Sequence, residues 1–147
     1  MIEKRAATKP DSIAVTYNED STSRFEHYFS GGHEYKLNRF SQNLFTESDT
    51  FYLDLESLYN SDKTFELRKG RFSDHTLQFE GVLYKGFYYG PFILYYPNGK
   101  VNIQGVRYKD EDIGIWGKWD DDGTFVGNTD HKNASKEDAI LKIKFVE

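Results

Sequence analysis

The chain has 147 residues with 37% hydrophobic content, the size of a single domain that buries a core of its own. A formal net charge of −5 argues against a nucleic-acid binder, because phosphate contacts need a clustered basic face, and it favours a partner with a basic surface. The lack of cysteine excludes disulfides and favours a cytoplasmic location. No apolar run has the length of a signal-peptide core or a membrane span, so we expect one soluble domain, residues 1–147, without membrane insertion.

The first predicted element is a β-hairpin unit over residues 13–35. Aromatic residues make up 17% of the chain and pack well on a pleated surface, so the composition predicts a mainly β fold. The corner Ser30-Gly31-Gly32 aligns with Pro97-Asn98-Gly99 at an offset of 67 (99 − 32). The same offset superposes Val15 on Val82, Tyr17 on Tyr84, Phe25 on Phe92, Tyr28 on Tyr95 and Phe29 on Tyr96.

The middle of the chain, residues 36–80, is a degenerate part of the array. Strand-like alternation continues in Phe51-Leu53-Leu55, Phe65-Leu67 and Leu77-Phe79, with a corner at Asn60-Ser61-Asp62. Glycine is nearly absent from it. A set at helical spacing allows a short helix, and a strand that ends at Gln42-Asn43 fits equally well. The set comprises Leu37, Phe40, Leu44 and Phe45.

Residues 81–104 and 105–127 carry the clearest pattern, a repeat with a spacing of 24 residues (105 − 81). The spacing links Gly81 with Gly105, Tyr84 with Tyr108, Gly90 with Gly114, Tyr95 with Trp119, and Gly99 with Gly123. Internal repeats of this kind are typical of duplicated supersecondary units. Pro97-Asn98-Gly99 and Asp121-Asp122-Gly123 have the residues of tight hairpin turns, with glycine at the left-handed position. The pattern predicts tandem antiparallel β-hairpins.

The tail, residues 134–147, is predicted to cap the array. Ser135, followed three residues later by Asp138, is typical of a helix start. An apolar stripe follows at Ala139, Ile140 and Ile143. We expect a short C-terminal helix that covers the last sheet edge, with an edge strand over 141–146 as the alternative.

Five aromatic residues are candidates for a partner-binding surface: Tyr88, Tyr89, Tyr95, Trp116 and Trp119. Tyrosine and tryptophan dominate binding hot spots, because they bury a large area at a small entropic cost. Core packing is the competing interpretation for each of them. A whole stripe of such residues open to water would favour binding.

Two acidic runs are the second candidate surface: Asp110, Glu111 and Asp112, then Asp120, Asp121 and Asp122. They lie at opposite ends of a predicted strand, about 25–30 Å apart at roughly 3.3 Å per residue, too far to share one calcium ion. The simpler interpretation is a pair of turns made of turn-forming acids. The alternative is a rim that steers a cationic partner into place.

The histidines, at positions 27, 33, 75 and 131, do not have the spacing of metal ligands. His27 and His33 flank a predicted turn, with Glu26 and Glu34 as nearby acids, and solvated turn histidines are the simpler interpretation. No nucleophile elbow, phosphate-cradling glycine loop or paired His and Ser is visible. We therefore predict no enzyme activity, no cofactor and no metal.

The run from Tyr84 to Phe125 resembles the MORN-like repeat of the membrane-occupation-and-recognition-nexus group, in the bacterial form found in YwqK-type antitoxin proteins. The matched residues are Gly90-Pro-Phe92, Tyr95-Tyr96, Asn98-Gly99, Gly114-Ile-Trp116, Trp119 and Asp122-Gly123. The resemblance implies tandem antiparallel hairpins in a curved sheet and, in bacteria, a recurring association with toxin neutralisation. The middle of the chain departs from the family's glycine pattern. No catalytic residue comes with the family.

Together these features predict a non-catalytic binding protein, a bacterial immunity or antitoxin protein that neutralises a cognate protein toxin by direct binding. A structural or membrane-associated scaffold of MORN type is the first alternative, although net acidity is unfavourable on anionic lipid. A carrier of small ligands, closed into an aromatic-lined barrel, is the second. Open sheet edges also allow a homodimer.

Overall fold

The computed structural model describes residues 9–42, 50–133 and 136. Within these residues ten strands form one antiparallel sheet, which confirms the mainly β prediction. Their bounds are β1 Ser12–Tyr17, β2 Ser23–Ser30, β3 His33–Gln42, β4 Phe51–Tyr59, β5 Phe65–Arg71, β6 Leu77–Tyr84, β7 Phe87–Tyr95, β8 Val101–Tyr108, β9 Glu111–Trp119 and β10 Phe125–Asp130. The predicted helical cap over 134–147 and its alternative strand lie outside the described residues, apart from Lys136.

The order of the strands in the sheet is their order in the chain, so each strand pairs with the one before it and the one after it. The sheet is open, because β1 and β10 are its two edges and do not pair with each other. The described strands therefore do not close into the ligand-enclosing barrel of the second alternative. A meander of this kind needs only short turns, since antiparallel neighbours can be joined by two residues.

The spacing of 24 residues in the sequence recurs in the strand bounds. β6 and β8 start 24 residues apart (101 − 77), and so do β7 and β9 (111 − 87). The middle of the chain continues the same meander through β3, β4 and β5. Leu37 and Phe40 lie in β3, so the strand interpretation is right for them. Leu44 and Phe45 lie outside the described residues.

The alignment of residues 13–35 with the 81–104 unit is out of phase. In 13–35 a turn at 18–21 comes first and the two-residue turn Gly31-Gly32 comes second. In 81–104 the order is reversed, with the two-residue turn at Lys85-Gly86 before the longer turn at 96–99. The offset of 67 thus superposes strands that run in opposite directions across the sheet. Apolar alternation reads the same in both directions, which is why the sequences matched.

A four-residue turn recurs at one end of the strands, and the residue in its left-handed position is not always glycine. The turns 96–99 and 120–123 have Gly99 and Gly123 at φ of 88° and 90°, as predicted. The equivalent positions in 18–21 and 72–75 are Ser21 and His75, with φ of 59° and 76°. In each turn the residue directly before the left-handed position has a side-chain carboxylate or amide oxygen, which accepts the backbone N–H of the residue two positions further along. The side-chain acceptors are Asp20, Asp74, Asn98 and Asp122.

Burial is sparse, because the described strands form a single layer. The buried apolar residues are Tyr35, Leu58, Phe65, Leu83, Phe92, Ile113 and Trp116. They occur on both faces of the sheet, where side chains of adjacent strands cover one another. Neither face is closed off by a second sheet within the described part of the chain.

Candidate protein-binding faces

One face of the sheet packs aromatic rings onto glycines of neighbouring strands; we call it the glycine-packed face. A Cβ atom on Gly105 would lie 2.2 Å from the Trp116 ring, and one on Gly70 would lie 2.1 Å from the Phe79 ring. These glycines have no left-handed φ, so it is the ring above each of them that excludes a side chain. Gly81, beneath Phe92 and Tyr88, repeats the arrangement in β6. The rings replace a second layer as cover for the backbone.

An arginine lies among these rings. The Arg107 guanidinium carbon is 3.8 Å from the ring centroid of Phe92 and 5.5 Å from that of Tyr88, within range of cation–π attraction. Its Nε–H donates to the Asp112 carboxylate at 3.0 Å. Arg68, whose guanidinium carbon is 6.0 Å from the Tyr88 ring centroid, pairs with a carboxylate of its own strand, Glu66, at 2.6 Å. The charges of this face are therefore largely compensated locally.

Trp116 belongs to this face and is a core residue. Only 4% of it is exposed, and its indole N–H donates to the carbonyl oxygens of Val106 and Ile113, at 3.2 and 3.1 Å. Trp116 is therefore buried, which favours the core-packing interpretation of this candidate over the binding one. The sequence could not separate the two, since the ring of a tryptophan serves either role equally well. Tyr88, on the same face, is half-buried beneath two arginines.

The opposite face, which we call the open face, exposes most of the large apolar side chains that reach solvent. Six of them are placed on it by the strand register, with exposed fractions from 42% to 63%. They are Ile13, Val15, Tyr17, Phe87, Ile115 and Phe125. Val126 is 57% exposed at the bulge of β10. Exposed apolar residues in such number on one face are typical of an interaction surface.

The open face also holds two shallow hollows. One has a volume of about 140 Å³ and is lined by Lys36, Glu56, Leu58, Leu67 and Lys69. The other, of about 110 Å³, lies against Leu67, Val82, Pro91 and Ile93 among others. Both volumes fall below the roughly 300–1,000 Å³ of sites for small organic ligands. They fit single side chains of a partner better than a whole cofactor.

Three of the five predicted aromatic anchors lie on the open face. Tyr89 packs between Tyr84 and Tyr108, with ring centroids 5.7 and 5.1 Å away. Trp119 packs edge-on against Phe125 at 5.4 Å. Tyr89, Trp119 and the third of them, Tyr95, are half-buried, so they support the exposed residues beside them.

Tyr95, the third, donates its hydroxyl to the Glu80 carboxylate at 3.0 Å. Burial, and then this hydrogen bond, raise the pKa of Tyr95 to about 12. The phenol therefore remains a neutral donor at all physiological pH values, and Glu80 is held beside it.

The first acidic run is used mainly within the sheet. Asp110 accepts a hydrogen bond from the Tyr88 backbone N–H at 2.7 Å, and Asp112 pairs with Arg107. The hydrogen bond from Lys136, at 2.7 Å, lowers the pKa of the Glu111 carboxyl. The turn-forming interpretation thus accounts for Asp110. Glu111 and Asp112 lie in strand β9 itself and not in the turn.

The second acidic run lies at the other end of β9, as predicted. Asp122 accepts the Thr124 N–H within the turn, and hydrogen bonds from the Thr124 hydroxyl and N–H lower its pKa. Asp120 and Asp121 are exposed, and neither carboxylate has a hydrogen-bond or ion-pair partner among the described residues. These two acids are the part of the predicted rim that is available to a partner.

A polar chain links the N-terminal strands. The His27 imidazole lies 3.0 Å by Nε2 from the Thr16 hydroxyl and 2.5 Å by Nδ1 from the Glu34 carboxylate, which also pairs with Lys63. His27 is thus an ordered bridge and not the solvated turn residue of the simpler interpretation. The order of hydroxyl, imidazole and carboxylate is that of hydrolytic triads. Neither hollow described above lies at Thr16, however, and a bridge that holds β1 to β2 and β3 accounts for the geometry.

The other histidines do not take part in this row of hydrogen-bonded side chains. His131 packs edge-on against Trp116 at 6.1 Å between ring centroids, and His75 lies in a turn. Within residues 9–42, 50–133 and 136, no cluster of three His, Cys, Asp or Glu side chains could hold a metal ion. That same part of the chain has no helix of the length and apolarity needed to cross a membrane.

Three comparisons with known proteins found no match: no family model, no curated protein and no solved structure matches the chain. The resemblance to MORN-like repeats therefore stays a prediction that rests on the residues themselves.

Proposed function

We propose that this chain is a non-catalytic binding protein, and specifically a bacterial immunity or antitoxin protein of MORN-like, YwqK-type architecture that neutralises a cognate protein toxin. The observation that carries the proposal is the open face, with large apolar side chains exposed across a sheet that has no second layer within the described residues. Exposed apolar surface of this extent is unfavourable in water unless a partner covers it.

The composition of the open face supports a protein partner. Ile115 and Phe87 are 63% and 42% exposed and lie on the same face as the half-buried rings of Trp119 and Tyr89. Apolar anchors of this kind, surrounded by residues that exclude water, resemble the centre of a protein–protein interface. The shallow hollows elsewhere on the same face are of side-chain size.

Charge supports a partner with a basic surface. The net charge of the chain is −5, and Asp120 and Asp121 lie exposed at the turn beside the apolar end of the open face. Acidic residues at a rim speed up association with a cationic partner, and salt weakens this acceleration because it screens the charges. Toxins that act on nucleic acid have such cationic clefts, because they must bind phosphate.

The strand bounds support the family assignment. The glycine and aromatic positions that resemble the repeat occur at matching places in β7 and β9, which start 24 residues apart (111 − 87). The hairpin turns that follow both strands close with a glycine in the left-handed conformation. We therefore assign the two hairpins to MORN-like units, and the rest of the meander to degenerate copies.

The test is co-expression with the proteins encoded by adjacent genes. We expect one of them to arrest growth alone, and growth to return when this chain is present, with both proteins purifying as one complex. Ile115→Lys should weaken that complex by about 2 kcal/mol or more, because it removes an anchor and buries a charge. Thr129→Lys is the matched control: Thr129 is exposed opposite Trp116 on the glycine-packed face, so binding should remain unchanged.

Two results would contradict the proposal. One is that no adjacent gene product is toxic or binds. The other is that Thr129→Lys disrupts the complex while Ile115→Lys leaves it intact, which would place the partner on the glycine-packed face.

A further inference from the structure

The edge strand β1 lacks the features that normally protect a sheet edge. Its sequence, Ser-Ile-Ala-Val-Thr-Tyr, contains no charged residue and no proline, and all six residues are exposed. It pairs with β2 in an unbroken register without a bulge. Natural edge strands are usually protected by lysine, proline or bulges, since an open row of N–H and C=O groups attracts another strand.

The opposite edge differs in these respects. β10 has a bulge between Phe125 and Gly127, an interior glycine and a terminal Asp130. These features interrupt a hydrogen-bonding ladder and oppose strand pairing. The two edges of the sheet are thus unequal, and only β1 is suited to receive a strand.

The free hydrogen-bonding groups of β1 coincide with its apolar side chains. The Asn18 N–H donates to the Ser23 carbonyl, at 3.1 Å, which sets the phase of the ladder between β1 and β2. By the alternation of an antiparallel ladder, the N–H and C=O groups of Ser12, Ala14 and Thr16 point towards β2. Those of Ile13, Val15 and Tyr17 point away from the sheet, and these residues carry side chains of the open face.

We propose that β1 pairs antiparallel with β1 of a second copy of this chain, with Val15 opposite Val15 on a two-fold axis. In this register Ile13 of each copy lies opposite Tyr17 of the other, so every outward-facing residue has a partner. About six backbone hydrogen bonds would form, two for each hydrogen-bonded pair. A two-fold axis perpendicular to the sheet keeps both open faces on the same side. There Ile13, Val15 and Tyr17 of the two copies form one apolar cluster of six side chains.

The absence of charge makes a second copy the best occupant. In a self-paired antiparallel strand the residue on the two-fold axis lies opposite its own copy, so a charge there would meet a like charge. β1 contains none. The nearest acid before it, Asp11, accepts the Gly31 N–H at 2.7 Å and is thereby directed towards the turn between β2 and β3, away from the free edge.

This inference goes beyond the proposed function and does not depend on it, because the dimer uses the β1 edge and needs no toxin. It joins two ten-stranded sheets into one, with a continuous open face across the axis. The dimer also explains why the apolar side chains of Ile13, Val15 and Tyr17, 50–57% exposed in the monomer, are tolerated at the very edge of the sheet.

The first test is the mass of the full chain in solution, by light scattering during size-exclusion chromatography. We expect twice the monomer mass of 17.2 kDa. Val15→Lys should restore the monomer mass, because two ammonium groups would meet at the axis. Ile115→Lys is the matched control: it makes the same change on the same face but far from β1, so the dimer should persist. Far-UV circular dichroism of each variant shows whether the sheet remains folded.

The second test uses the fact that the chain has no cysteine, so single-cysteine variants react at one position only. Directly opposite residues of an antiparallel pair have Cα atoms about 4.5–5.5 Å apart, within the range of a disulfide. Under mild oxidation Val15→Cys should form a cross-linked dimer at least about tenfold faster than Ile115→Cys, because only the former thiol is held beside its copy.

A monomer at all concentrations up to about 1 mM would overturn the proposal. So would equal cross-linking rates at the two positions, or a dimer that Val15→Lys leaves intact. The chain could also be monomeric alone, with the backbone amides of β1 becoming protected from hydrogen exchange when an adjacent gene product binds. That result would assign the edge to a strand of the partner and refute the homodimer. Loss of toxin binding with the dimer intact would contradict the proposed function only.

Discussion

A methyl group added at Gly105 tests whether aromatic rings packed on glycines hold this sheet together. Gly105 has an ordinary strand conformation, so Gly105→Ala introduces no backbone strain. Its Cβ would lie 2.2 Å from Cδ2 of Trp116, whereas ordinary contact begins near 3.4 Å. The ring must therefore move by more than about 1 Å, in a site where it is 4% exposed.

The magnitude follows from what that movement disturbs. Overpacking of a filled site is destabilising by about 1–3 kcal/mol. A shift of Trp116 also weakens its two indole hydrogen bonds, to Val106 and Ile113, for about another 1 kcal/mol. We expect Gly105→Ala to lower the free energy of unfolding by about 2–4 kcal/mol, a large share of the stability of a domain this size.

The control is the same substitution at Gly127, where an added Cβ meets no atom within 4 Å. There alanine should be neutral or stabilise by up to about 1 kcal/mol, since it restricts the unfolded chain more than glycine does. Urea unfolding followed by far-UV circular dichroism measures both variants. Adding Trp116→Leu should make Gly105→Ala nearly harmless, because the clash is with that ring. Equal effects at Gly105 and Gly127, within about 0.5 kcal/mol, would refute the role of ring-on-glycine packing.

Three further predictions concern turns and the Tyr95 phenol. Gly99→Val should lower the melting temperature strongly, because Gly99 has a φ of 88° that a β-branched residue cannot easily adopt. Asp121→Lys should leave the melting temperature nearly unchanged. If the lysine variant unfolded, Asp121 would have a structural role. Asp74→Ala should lower the melting temperature and Asp74→Asn should not, since an amide oxygen accepts the same N–H at the equivalent turn; equal losses would contradict this. Because the folded pKa of Tyr95 is raised to about 12 from an unfolded 10.0, its contribution is complete below pH 10 and is lost as pH rises towards 12. Tyr95→Phe should therefore flatten the decline of stability between pH 10 and 12, and an unchanged slope would argue against the hydrogen bond to Glu80.

The repeat in the sequence predicted the best-defined part of the fold, because a duplicated unit preserves the positions where backbone geometry is most demanding. Gly99 and Gly123 mark turns that need a left-handed residue, and both are where they were expected. Turns without glycine were harder to recognise, although a short signal was present. In Asp20-Ser-Thr22 and Asp74-His-Thr76 an acid is followed two residues later by threonine, whose N–H it accepts.

The candidate binding face could be predicted only in part. Aromatic residue type favoured Trp116, yet its ring covers Gly105 and is buried, while Ile115 beside it is 63% exposed. Whether a side chain is covered depends on what stands opposite in the next strand, and register is fixed by turns and bulges rather than by residue type. The odd-numbered apolar series of Ile13, Val15 and Tyr17 was visible in the sequence. Its exposure required knowing that β1 is the edge.

The strictly sequential strand order has a mechanical consequence. Each strand contacts chiefly its immediate neighbours, and the two chain ends enter the sheet at opposite borders. A force applied to the ends would break the backbone hydrogen bonds between neighbouring strands one after another, instead of loading many of them at the same time. We therefore expect the molecule to peel apart hairpin by hairpin at low force, with the remaining hairpins still able to hold their shape.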